Sequence, residues 1–94
     1  ETGKVSEDIL EPAFSLYPNP ATNYLNLKGT EQLADGEQVS IKLYDLQGRL
    51  MKSEIMYSNT LDISQLNDGI YIAQVATENR LIHTEKIIVQ GNRK

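Results

Sequence analysis

Val39-Ser40-Ile41-Lys42-Leu43-Tyr44-Asp45-Leu46-Gln47-Gly48 decides the fold. Val39, Ile41 and Leu43 alternate with Ser40, Lys42 and Tyr44, a period of two that places apolar side chains on one face of an extended strand. The strand then meets its own stop. Asp45 to Gly48 suits a short hairpin, with Asp45 accepting backbone hydrogen bonds and Gly48 taking a positive φ at low cost. The same two signals recur on either side. Leu25 and Leu27 alternate with Asn26 and Lys28, and Tyr71, Ala73 and Val75 alternate with Ile72 and Gln74. Pro18-Asn19-Pro20, Asp35-Gly36, Asn67-Asp68-Gly69 and Glu78-Asn79 supply further turns. Pro18 and Pro20 remove two ladder donors, so Tyr17 to Ala21 bends between strands instead of crossing a sheet centre.

Seven strands are predicted at about 13–17, 22–28, 38–45, 49–56, 59–63, 70–77 and 80–90. That number in 94 residues predicts an all-β, Ig-like antiparallel β-sandwich. Thr30 to Ala34 and Ser64 to Leu66 offer single helical turns, too short to alter the class. The final strand carries Ile87-Ile88-Val89, apolar on both faces, which predicts a strand covered on both sides or awaiting a partner.

Length and charge set further bounds. Ninety-four residues bury roughly 60–65 % of their unfolded surface, which supports one thin core and argues against an enclosed active site. The chain has no cysteine, which excludes thiol catalysis, Cys-ligated metal and disulfides. A net charge of −4 provides no long-range attraction to nucleic acid or to anionic lipid. The longest apolar run, Ile70 to Ala73, is too short for a membrane helix or a signal-peptide core. Glu1-Thr2-Gly3 and the polar residues after it predict a linker or expression remnant over 1–12, ahead of a domain at 13–94 excised from a longer protein.

Chemistry is sparse. His83, the single histidine, reads as a partly exposed strand residue, because a nucleophile-base pair needs companions that the sequence does not place beside it. Asp45, Asp62 and Asp68 fall outside calcium-loop spacing, and the six glycines are too dispersed for a phosphate loop. No catalytic residue, metal ligand or cofactor is expected. Tyr24, Tyr44, Tyr57 and Tyr71 are spread over four strands, so at least half are expected in strand packing and fewer in a sugar platform.

Four segments, in order, resemble the C-terminal sorting domains of the type IX (Por) secretion system of Gram-negative bacteria: Phe14 to Asn23 with Pro18-Asn19-Pro20, Leu43 to Leu50, Leu61 to Tyr71, and Lys86 to Val89. The resemblance implies an Ig-like domain that carries a cargo from the periplasm through the outer-membrane translocon. A sortase-like cysteine protease then removes the domain at the cell surface, leaving the cargo secreted or surface-held. It implies translocon and shuttle proteins as partners, with no nucleic acid and no membrane insertion. Recognition is implied at Gly69, Ile70, Tyr71, Lys86, Ile87, Ile88 and Val89, with Pro18, Asn19, Pro20, Asp45, Gly48 and Asp68 as turn scaffold. Lys86 to Val89 are expected to offer a strand edge to a receptor, and the same edge is expected to support a weak homodimer. The alternative reading is a structural or carbohydrate-binding Ig-like accessory module of a secreted enzyme.

Overall fold

The computed structural model describes residues 14–33 and 36–91, so the expectations for 1–12 and for the cationic tail at Arg93 and Lys94 lie outside the described residues. The strands are β1 (Ser15–Tyr17), β2 (Tyr24–Lys28), β3 (Val39–Tyr44), β4 (Leu50–Met56), β5 (Thr60–Asp62), β6 (Gly69–Thr77) and β7 (Leu81–Val89). A three-residue 3-10 turn, Thr30–Gln32, is where the sequence allowed a helical turn. Ser64 to Leu66 instead form a turn closed by Leu66 N donating to Ile63 O at 3.0 Å. Two antiparallel sheets result, a three-stranded one in the order β1-β2-β5 and a four-stranded one in the order β4-β3-β6-β7. The chain is all-β, as the alternation predicts.

The core lies between the sheets. Leu16, Leu25, Leu27 and Leu61 from the smaller sheet face Ile41, Leu43, Ala73, Val75, Ile87 and Val89 from the larger one. The apolar positions of the period-two pattern are the buried ones, because alternate side chains of a strand point to opposite faces. Within the Ile87-Ile88-Val89 run, Ile87 and Val89 enter the core, and Ile88 is half-buried on the outer face opposite Ile70.

The outer edge of β7 differs from expectation. Lys86 to Val89 do not offer an open edge, because the Pro18-Asn19-Pro20 segment already lies along it. Asn19 Nδ2 donates to Lys86 O and Ile88 N donates to Asn19 Oδ1, both at 2.9 Å. One step further on, Ala21 N donates to Ile88 O at 2.7 Å and Gln90 N donates to Ala21 O at 2.9 Å. Ala21 and Val89 thus form a parallel bridge, extended by Thr22 Oγ1 donating to Gln90 O at 3.0 Å. The physical reason is valence: a strand edge leaves alternate amides and carbonyls unmatched, and Asn19 presents one donor and one acceptor at the spacing of a backbone. Self-association through this stretch of the last strand is therefore closed off by the domain itself.

Strand β4 lies at the other edge of the larger sheet, and none of its residues is buried. Its neighbour β3 is buried against the smaller sheet, whereas on β4 Met56, at the far end of the strand, is the half-buried hydrophobic that packs against the core. Lys52 and Glu54 occupy the core-side face of β4, opposite Leu43 and Ile41, and pair at 3.1 Å.

Candidate recognition surface

The two stretches with an implied recognition role are neighbours in one ladder. Gly69 pairs with Val89, Ile70 with Ile88, Tyr71 with Ile87 and Ile72 with Lys86. Alternation divides them. Tyr71, Ile87 and Val89 are core residues, whereas Ile70 and Lys86 are exposed and Ile88 and Ile72 are half-buried on the outer face. The side chains that the two stretches turn outward are therefore Ile70, Ile72, Lys86 and Ile88. Ile72 carried no role in the sequence reading. Its signal was present as the outward member of the β6 alternation, beside Tyr44 in the β3–β6 ladder.

The scaffold residues gather at the same end of the sandwich. Asp68 Oδ2 accepts from Gly91 N at 3.2 Å, tying the turn before β6 to the residue after Gln90. Tyr71 Oη donates to Asn67 O at 2.6 Å and closes that turn from within. Burial pushes the Tyr71 phenol above its ordinary value, and the Asp45 and Asp68 carboxylates add to the rise. Asp45 is therefore within electrostatic reach of Tyr71. A shallow recess joins Tyr44, Asp45, Leu46 and Gly48 to Ile72 and Gln74.

The β3–β4 hairpin owes its shape to Asp45. Its Oδ1 accepts from Gln47 N and Arg49 N, both at 2.9 Å, and its Oδ2 accepts from Arg49 Nε at 2.7 Å. Gly48, at φ 87°, donates through its amide to Asp45 O at 3.0 Å. The Arg49 amide first, then the Arg49 guanidinium and the Gln47 amide, hold the Asp45 carboxyl below its ordinary 3.8 against an opposing desolvation. A depressed folded value means that this contribution is present above 3.8 and is lost as pH falls through 3.8 toward the folded value. Asp45→Asn should accordingly flatten the loss of stability as pH falls through 3.8 and below, read as thermal midpoint against pH. A variant that tracks the parent throughout would show that the carboxylate is not what steadies the hairpin.

His83 is partly exposed in β7 and pairs with Glu85, Nε2 to Oε1 at 2.8 Å. The same Oε1 accepts from Leu16 N at 3.0 Å, joining β7 to β1. The pair stitches the two sheets together. Among the described residues no group of three or more His, Cys, Asp or Glu side chains is placed to hold a metal ion. None of their helices is long and apolar enough to cross a membrane. Of the tyrosines, Tyr71 is buried and Tyr44 half-buried, while Tyr24 and Tyr57 are exposed.

The family described as "Secretion system C-terminal sorting domain" matches residues 15–90. Beta-agarase D of Zobellia galactanivorans is 28% identical over 74 residues, which is 79% of this chain and 14% of that protein. The chain thus spans about one seventh of that relative. The matched residues include the Pro18-Asn19-Pro20 clamp, the Asp45 hairpin, the Asp68 turn and the β6–β7 ladder.

Proposed function

This chain belongs to the family of type IX secretion system C-terminal sorting domains, and from that membership we propose that it directs an attached cargo through the outer-membrane translocon and is afterwards cut away by a sortase-like cysteine protease. A domain of 13–94 preceded by a linker at 1–12 suits that role, with the cut falling in the polar stretch before Phe14. The family is one of sorting signals and not of catalysts. On this reading the domain passes through the periplasm of a Gram-negative cell, meets translocon and shuttle proteins, and leaves the cargo secreted or on the cell surface.

The observation that carries the reading is the gathering of the four ordered segments at one end of the sandwich, with their outward side chains on β6 and β7. Recognition then reads Ile70, Ile72, Lys86 and Ile88 as an apolar patch with one cation. Tyr71, Ile87 and Val89 act from beneath, by fixing the two strands that carry the patch. Gly69 begins β6 and sets its direction.

The test fuses the whole chain to a periplasmically targeted reporter in a host with the type IX system. The combined variant Ile70→Ser, Lys86→Glu, Ile88→Thr should lose most surface display while melting within about 5 °C of the parent, because exposed and half-buried changes cost little stability. Undiminished display by a folded variant would overturn the patch as the recognition element.

A second reading is an accessory module that holds polysaccharide, and one observation favours it. Tyr17 and Tyr24 are half-exposed on the outer face of the smaller sheet, where Tyr17 pairs with Asn26 and Tyr24 with Asp62. The same experiment separates the two, since an accessory module remains on the mature cargo and a sorting domain does not.

A further inference from the structure

Strand β4 reads Leu50-Met51-Lys52-Ser53-Glu54-Ile55-Met56, and its chemistry is symmetric about Ser53. Lys52 mirrors Glu54, Met51 mirrors Ile55, and Leu50 mirrors Met56. Its outer edge has no neighbour in the sheet order, and at seven residues it is more than twice as long as the edge strands β1 and β5. The opposite edge of the same sheet is clamped by Asn19 and Ala21. Leu50, Met51 and Ile55 are 52, 44 and 40 % exposed, an apolar surface with no cover among the described residues.

The backbone has the phase that self-pairing needs. On β7, Lys86, Ile88 and Gln90 turn outward toward the clamp. Antiparallel ladders alternate. Carried across β6 and β3, this alternation makes Leu43–Lys52 and Ile41–Glu54 the hydrogen-bonded pairs of β3 and β4, so Ser53 and Ile55 turn their amides and carbonyls outward. Asp45 N donating to Arg49 O fixes the same phase from the hairpin.

We propose that β4 is a self-association edge, through which two copies of this chain join antiparallel about a two-fold axis at Ser53 to make one continuous eight-stranded sheet. In that register Ser53 faces Ser53 of the second copy as a hydrogen-bonded pair. Each Lys52 stands opposite a Glu54 in the closer, non-hydrogen-bonded pairing, and each Met51 stands opposite an Ile55. The existing Lys52–Glu54 pair at 3.1 Å then becomes half of a four-charge square of alternating sign. Lysine on an edge ordinarily discourages pairing. Here the glutamate two residues on turns that deterrent into a match with a copy of itself.

Two seven-residue edges bury well under the roughly 1,600 Å² of a standard interface, so the dimer is weak and its occupancy depends on concentration. Sedimentation equilibrium of the whole chain from about 10 µM to about 1 mM should show a monomer–dimer equilibrium, with Lys52→Glu raising the dissociation constant by about tenfold. The double variant Lys52→Glu/Glu54→Lys should return it to within about threefold, since the swapped charges match again across the axis. Ser53→Pro removes an outward amide and no internal bond, so it should abolish association while the circular dichroism stays that of a folded sandwich. Amide exchange at Ser53 and Ile55 should slow as concentration rises. A monomer throughout the range, or association that ignores both the charge reversal and the proline, would overturn the proposal.

Discussion

Ile87→Ala should remove about 2–5 kcal/mol of stability, the usual cost of deleting the outer carbons of a fully buried aliphatic side chain. Ile87 has no solvent exposure and sits in the core between the sheets, opposite Tyr71 in the β6–β7 ladder, so the truncation leaves a cavity. For a chain of 94 residues the whole folding free energy is about 5–14 kcal/mol. The variant should therefore melt about 10–25 °C lower, and its display as a fusion should fall with it. Ile88→Ala is the control. One residue along, Ile88 is half-buried on the outer face, and its truncation should cost about 1 kcal/mol or less. A one-residue slip of β7 would exchange the two side chains between faces. Urea unfolding of both variants measures the contrast, and equal or inverted losses would mean that β7 does not hold this register.

Asn19→Ala should cost about 1–3 kcal/mol, through two lost hydrogen bonds to the β7 backbone and the loosening of the segment that carries them. The readout that identifies the cause is local. Amide exchange at Ile88 should accelerate by about tenfold or more, since its acceptor is gone, whereas Gln90, whose amide donates to Ala21 O, should follow only as far as the segment loosens. Exchange at Ala73 and Val75, inside the β6 ladder, should change only with global stability. Asn19→Asp retains the acceptor for Ile88 N but sets an oxygen against Lys86 O, so it should not rescue the alanine variant. Unchanged Ile88 exchange in Asn19→Ala would show that the Asn19 side chain does not hold that amide.

Nearly all of the strand inventory is legible in the sequence, because period-two alternation and turn chemistry are local. Val39 to Gly48 declares a strand and its hairpin without reference to anything distant, and the observed β3 lies within one residue of the predicted bounds at each end. What the residues do not declare is how the strands are shared between sheets. Leu50, Met51, Ile55 and Met56 have the composition of a covered strand, yet β4 is an edge strand in which Leu50, Met51 and Ile55 stay exposed and Met56 packs against the core. The closed edge at Lys86 to Gln90 was equally hidden. Its partners lie 67 to 69 positions away in the chain, and a Pro-Asn-Pro turn has no periodicity to show which strand it will accompany. The candidate site follows the same division. Gly69, Ile70 and Tyr71 can be picked out as a strand start, but their pairing with Val89, Ile88 and Ile87 decides which of them face outward.

The bridge between Ala21 and Val89 sets a condition on timing. The edge of the larger sheet is closed by residues from opposite ends of the described chain, so a ribosome that has emitted everything up to β6 still holds an unfinished sandwich. Loops of this span are slow to close, and they close only once the far partner exists. A chain broken before residue 90 carries the early motifs intact and no clamped last strand. The clamp therefore makes the finished shape of the sandwich depend on the chain reaching Gln90, as much as on any one buried side chain.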